Sequence, residues 1–232
     1  METDSCPRNP LGFHVPIGPT TTDVRTQRKN DRRRSIVEAA ARLFAEHGFA
    51  DCDMECVAGD LGIAKGTLYL YFPGKVELFR ACVDWGMAEM QRVVFEAAQG
   101  ELPPFRRLAR SIRAYLEFFD QNPQYVELLI QERAMFRDRK RGTYFEYREG
   151  IRADFRSIYG QLVADGTLRN DLPLDRLLDA VGAMLYGTML VNNAMGRAIS
   201  SDEQYDAVMN TVFGGLVTTA GQEKLRETLK PV

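Results

Sequence analysis

The sequence predicts an all-α protein of about nine helices, with a helix-turn-helix near its N-terminus followed by a larger helical body. Three observations point there. From Ser35 onward apolar residues recur at the three-to-four-residue spacing of helix faces, and no convincing run alternates as a half-buried strand would. Gly and Pro interrupt these stretches at regular places. Residues 54–72 set two short helical patterns around one glycine, the layout of a helix-turn-helix.

In chain order, residues 1 to about 30 carry Pro7, Pro10, Pro16 and Pro19 with Gly12, Gly18 and a Thr run, so the expectation is a disordered tail. The whole chain has a net charge of -2, which looks wrong for a DNA-binding protein. Its distribution matters more. Between Arg25 and Arg34 six basic residues face one acid, Asp31, so this stretch is either a solvated arm or one that touches DNA backbone. Ile36, Ala40, Leu43 and Phe44 then mark one face of a first helix, stopped by Gly48.

Within DCDMECVAGDLGIAKGTLYLYF, Asp53 caps a short helix whose inner face is Val57, Ala58 and Leu61. Gly62 supplies a turn that needs positive φ. The second helix, Ala64 to Tyr71, turns Leu68 and Phe72 inward and leaves Lys65, Thr67, Tyr69 and either Leu70 or Tyr71 outward. That face suits DNA: a cation for a phosphate or a guanine edge, a hydroxyl and methyl for thymine, and Gly66 for close approach. Lys75 follows Pro73-Gly74 at a helix start, where free N–H groups favour a phosphate.

These residues closely resemble the TetR family of regulators, with LFAEHGF and the more specific GIAKGTLYLYFPGKVELF inside residues 33–80. The resemblance implies a three-helix head, a fourth helix joining it to the body, a homodimer on a near-palindromic double-stranded operator, and release from DNA when a small-molecule effector binds the body. It places DNA contacts on Ala64, Lys65, Gly66, Thr67, Tyr69, Tyr71 and Lys75. Two positions depart from the family pattern. Ala64 stands where Ser or Thr is usual, removing a helix cap, and Met54 replaces a small polar residue.

Helical patterns continue over about 75–99, 104–120, 123–137, 143–166, 173–195 and 202–219. The last two carry apolar stripes: Leu174, Leu177, Leu178, Val181, Met184 and Leu185, then Tyr205, Val208, Met209, Val212, Phe213, Leu216 and Val217. Gly182, Gly187, Gly214 and Gly215 imply close backbone approach. The pair is expected to form a dimer interface, the alternative being burial within one monomer. An effector cavity is expected among the middle helices, with Phe118, Phe119, Tyr125, Phe136, Tyr144, Tyr147 and Tyr186 as its aromatic lining and Phe118, Tyr125, Gln131, Tyr147 and Tyr186 as candidate ligand-binding residues; an aromatic at helical spacing is more often plain core. The domain division expected is a tail at 1–30, a DNA-binding head at 31–78 and a ligand-binding and dimerisation body at 79–232.

Other classes fit less well. The chain has only His14 and His47, no Gly-rich phosphate loop and no metal-ligand cluster, so neither an enzyme nor a cofactor or metal is called for. An architectural DNA-binding protein without effector fits the head and leaves the body unexplained. No apolar run is long enough for a membrane span or a secretory signal, so the expected location is cytoplasmic. Cys6, Cys52, Cys56 and Cys82 lack zinc spacings; Cys52 and Cys56 read as small packing residues or as a redox pair.

Overall fold

In a computed structural model, residues 24–137, 140–196 and 199–228 are described. Among them no strand forms, and the one β contact is an isolated bridge between Leu168 and Val217. Four helices build the N-terminal part: α1 (Val24–Asp51), α2 (Met54–Asp60), α3 (Lys65–Tyr69) and α4 (Lys75–Ala97). The body continues with α5 (Pro104–Gln121), α6 (Pro123–Met135), α7 (Thr143–Gly150), α8 (Arg152–Ala164) and α9 (Leu174–Met195). Next, α10 starts at Ser201–Val208 and runs on through a π-helical turn, Met209–Phe213, to Gly214–Leu216; α11 is Thr219–Thr228.

Several expectations are corrected by this architecture. Helix α1 begins at Val24, so residues 24–30 of the expected tail are helical, while residues 1–23 lie outside the described part. The count among the described residues exceeds nine because the 143–166 pattern divides and because α11 follows the last expected helix. Division occurs where Gly150 weakens the helix and Ile151, at φ -100° and ψ 0°, sits at the edge of the helical region between α7 and α8. The π-helical turn follows from Asn210, whose side-chain amide donates to the Asp206 carbonyl at 2.8 Å and takes up an acceptor of the ordinary ladder.

Local signals at the head behave as expected. Gly48 ends the regular part of α1 with φ 81° and ψ 156°, a conformation that only Gly adopts without strain. Ile36, Val37, Ala40 and Phe44 of α1 are fully buried, as are Val57 of α2, Leu68 of α3 and Leu78 and Phe79 of α4. Each large apolar side chain so removed from water contributes about 1.5–3 kcal/mol before entropy is counted.

The head and body are joined by more than the chain. Helix α4 carries the head core at one end and packs on α5 and α7 of the body. A second link comes from α6: Phe136, just past its end, meets Phe49 and Phe79 with ring centroids 5.7 and 5.8 Å away. Gln131 on α6 donates from Nε2 to the Phe44 carbonyl at 2.9 Å.

The two stripes expected at a dimer interface lie largely inside the monomer. Tyr205, Val208, Met209, Val212 and Phe213 are buried, Phe213 edge-on to Phe105 of α5 at 5.7 Å; on α9 Leu177, Leu178 and Val181 are buried. The period marks an apolar face, yet these helices are apolar or small-residued on two faces. What remains outward on α9 is Met184, Val191 and Met195 with Ala180, Ala183 and Ala194. Gly187, Gly214 and Gly215 have open space where a Cβ would stand, whereas Gly182 is covered by Arg148.

Candidate DNA interface and effector cavity

The turn between α2 and α3 is built from local chemistry. Asp53, extended at φ -107°, accepts from the N–H groups of Glu55 and Cys56, both at 2.9 Å, and these bonds hold its carboxylate below the usual range. Gly62 sits at φ +61°. Ile63 N then bonds back to the Ala58 carbonyl at 3.0 Å, which sets the direction in which α3 leaves.

Helix α3 is anchored by Leu68 from within and by buried Phe72 just beyond it. Its other side is free. Leu70 is 80% exposed and Tyr69 46%, and Lys65 and Gly66 are exposed, while Thr67 is half-buried. Helix α3 ends at Tyr69, so Tyr71 falls outside it, half-buried against the core, and Leu70 is the outward residue of the two considered. Ala64 takes the N-cap position with φ -64° and ψ 139° and offers no side-chain acceptor.

Two lysines frame this surface differently. Lys65 Nζ meets the Glu55 carboxylate at 3.1 Å, which raises its pKa, and both side chains remain well exposed. Lys75 Nζ donates to the Ala50 carbonyl at 2.9 Å and lies over the Phe49 ring at 4.6 Å. Lys75 therefore ties the start of α4 to the end of α1 as well as standing at the head's edge. The basic run continues the same helix: Arg33 lies over Phe72 at 4.8 Å, and Arg34 pairs with Glu38 at 2.8 Å and covers Trp85. Arg28 and Lys29 are exposed on its first turns.

In the body a mostly apolar cavity of about 100 Å³ lies between α4, α5, α7, α8 and α9. Met90 and Val94 of α4 form one wall, Leu108 and Ile112 of α5 another, and Phe155 and Tyr159 of α8 a third. Its polar groups are few. Ser111 donates to the Arg107 carbonyl at 2.9 Å, the hydroxyls of Tyr115 and Tyr144 are 3.0 Å apart, and Arg148 and Arg152 stand beside them. Burial pushes both phenols up, Tyr115 well above its usual value and Tyr144 to about 12.

The five aromatic and amide residues expected around a ligand do not gather at this cavity. Phe118 and Tyr125 stack at 5.8 Å, and Tyr125 covers Gly86 of α4; both border a polar surface groove of about 480 Å³ beside Trp85. Gln131 is used at the head junction. Tyr147 is half-buried against the core, and Tyr186 packs on Tyr144 with centroids 4.5 Å apart, one layer behind the cavity wall. Of the aromatic lining expected among the middle helices, Tyr144 does border the cavity; most of the other lining residues belong to ordinary apolar faces, which periodicity alone does not distinguish from core.

Among the described residues no group of three or more His, Cys, Asp or Glu side chains is placed to hold a metal ion, and no helix is long and apolar enough to cross a membrane. Cys52 and Cys82 are buried and Cys56 is exposed.

Residues 36–82 match the family model of bacterial regulatory proteins, tetR family. The whole fold is similar to solved structures. The ketosteroid transcriptional regulator KstR2 of Mycobacterium tuberculosis is 21% identical, with a TM-score of 0.63 over 81% of this chain and 95% of that one. The fatty acid degradation regulator FadR from Bacillus halodurans is 16% identical, with a TM-score of 0.69 over 80% and 96%. The regulator PfmR from Thermus thermophilus is 21% identical, with a TM-score of 0.64 over 79% and 99%.

Proposed function

We propose that this chain, which belongs to the TetR family through its head at residues 36–82, is a cytoplasmic repressor that leaves its operator when an apolar effector enters the body cavity. The observation that carries the DNA-binding half is α3: an anchored short helix whose outward face of Lys65, Gly66, Thr67, Tyr69 and Leu70 makes no packing demand on the head. Ala64, Tyr71 and Lys75 complete the contact set, with Arg28 and Lys29 reaching the flanking backbone. Tyr71, half-buried, offers DNA its hydroxyl alone.

Homodimerisation is supported by the outward apolar side of α9 and the open glycines of α10, where a second copy would supply the missing neighbours. The effector half is supported by α4. The same helix holds Leu78 and Phe79 in the head core and Met90 and Val94 in the cavity wall, roughly 20 Å apart at 1.5 Å per residue. Filling the cavity moves that wall, and a rigid helix passes the movement to α3.

Selecting DNA fragments with the purified protein and footprinting them tests the reading. Two protected half-sites should lie roughly 34–36 Å apart, or a multiple of that. Protection without sequence preference would favour an architectural role instead. For the effector step, labels on Cys56 of the two protomers should change separation when the cavity fills, and an unchanged distance rejects the mechanism.

A further inference from the structure

The structure points to the chemical class of the effector. We propose that the body cavity takes an apolar organic anion, a carboxylate on a hydrocarbon chain or single ring, with Arg148 receiving its charge. The inference rests on the reading of that cavity as the effector site and adds what the site selects.

Charge balance around the mouth supplies the first argument. Four guanidinium groups, Arg141, Arg148, Arg152 and Arg156, stand with three carboxylates, Glu149, Asp175 and Asp179. Arg152 holds Asp179 at 2.6 Å and Asp175 at 3.3 Å, and Arg156 also pairs with Asp175. Arg148 is left with Asp179 at 3.5 Å and one hydrogen bond to the Leu178 carbonyl at 3.2 Å. Its ion pair is the longest among those of Arg148, Arg152 and Arg156, and its side chain is 26% exposed, against 23% for Arg152 and 49% for Arg156. A cation so placed favours an anion that brings two acceptor oxygens.

Gly182 gives the second argument. An added Cβ there would stand 2.4 Å from Nη2 of Arg148 and 2.5 Å from Cζ, so the guanidinium lies directly on the α9 backbone. Glycine costs helix propensity at this position. Its absence of side chain is what lets Arg148 reach the cavity wall.

The tyrosine pair is the third. Beyond Tyr144, the Tyr115 hydroxyl has the Met189 sulfur at 3.8 Å, a weak acceptor. One O–H of the pair can therefore turn to a ligand oxygen. Both phenols are neutral donors at physiological pH, as any tyrosine is. The remaining wall is apolar, and a volume of about 100 Å³ suits a body on the scale of one ring or about six carbons, with the charged end at the mouth.

Calorimetric titration of the full chain with hexanoate and 3-phenylpropanoate, against hexan-1-ol and 3-phenylpropan-1-ol, tests this. The carboxylates should bind about 10- to 100-fold tighter than the matching alcohols. Arg148→Met should remove that advantage, Arg148→Lys should retain part of it, and Gly182→Ala should reduce it with the charge kept. Alcohols binding as tightly as acids, no binding by any probe, or full carboxylate affinity in a folded Arg148→Met protein would overturn the proposal. Operator binding followed in the same samples separates the two readings. Selective carboxylate binding that leaves DNA bound supports the anion site and rejects its role as effector site; release by acid and alcohol alike does the reverse.

Discussion

Replacing Ala64 by Ser should give α3 the cap it lacks. Ala64 already has the extended backbone of an N-cap, and its carbonyl already accepts from Thr67 N at 2.8 Å. A Ser hydroxyl at that point can accept from the N–H of Gly66, the second residue of α3. Such a cap contributes about 1 kcal/mol relative to Ala. Because α3 spans only Lys65–Tyr69 and is held from within by Leu68 alone, little else fixes its first turn. In a chain of this size 1 kcal/mol corresponds to a melting shift of about 2–4 °C, read at fixed protein concentration because a dimer's stability depends on it. Operator affinity should rise with it, since less ordering remains for the moment of binding. The hydroxyl is uncharged, so the dependence of affinity on salt should keep its slope. Ala64→Val, which cannot accept a hydrogen bond, is the control. An unchanged or lower melting temperature in Ala64→Ser, or a changed salt slope, would refute the capping argument.

Lys75→Ala should cost about 1 kcal/mol of stability through the lost Ala50 and Phe49 contacts, and should lower the salt slope by about 1; a stability loss with an unchanged slope would confine Lys75 to an internal role. Gly62→Ala should destabilise the head by about 1–2 kcal/mol in urea unfolding, because φ is +61° there, and Gly62→Asn by less; equal effects would count against the backbone explanation. Tyr144 titrates near 10.0 when unfolded and about 12 when folded, so its contribution is complete below pH 10 and disappears as pH rises toward 12, at about 1.4 kcal/mol per unit. Urea midpoints at pH 9 and 11 should therefore converge more in Tyr144→Phe than in the parent. In a Cys6→Ser background a thiol reagent should label Cys56 quickly and leave Cys52 and Cys82 until unfolding, since both are buried and burial pushes the Cys52 thiol up to about 12; rapid labelling of a second thiol would show that the head opens.

The head was legible because its signals are local. Asp53, Gly62 and the inward pair Leu68 and Phe72 each act within a few residues, so spacing alone identifies them. The body was legible only as helices. Periodicity says that Val208 and Phe213 share a face, yet not whether that face meets α5 or a second chain, and the structure gives it to α5. Gln131 and Phe136 illustrate the same limit: their partners Phe44, Phe49 and Phe79 lie far away in sequence. The cavity was hidden for this reason too, since a void belongs to the arrangement of five helices and to no one of them. Lys75, singled out for its place at a helix start, makes internal contacts with Ala50 and Phe49 that no pattern announces.

The seam at Phe136 bears on how such proteins are recombined. A chimera that joins this head to a foreign body just after Phe79 of α4 would bring Phe49 and Phe79 without the ring that closes over them, and Phe44 without the Gln131 amide on its carbonyl. The graft that preserves the head must carry the end of α6 as well, two stretches far apart in the chain. Head and body are thus coupled here through a shared joint, and exchanging one of them means rebuilding that joint.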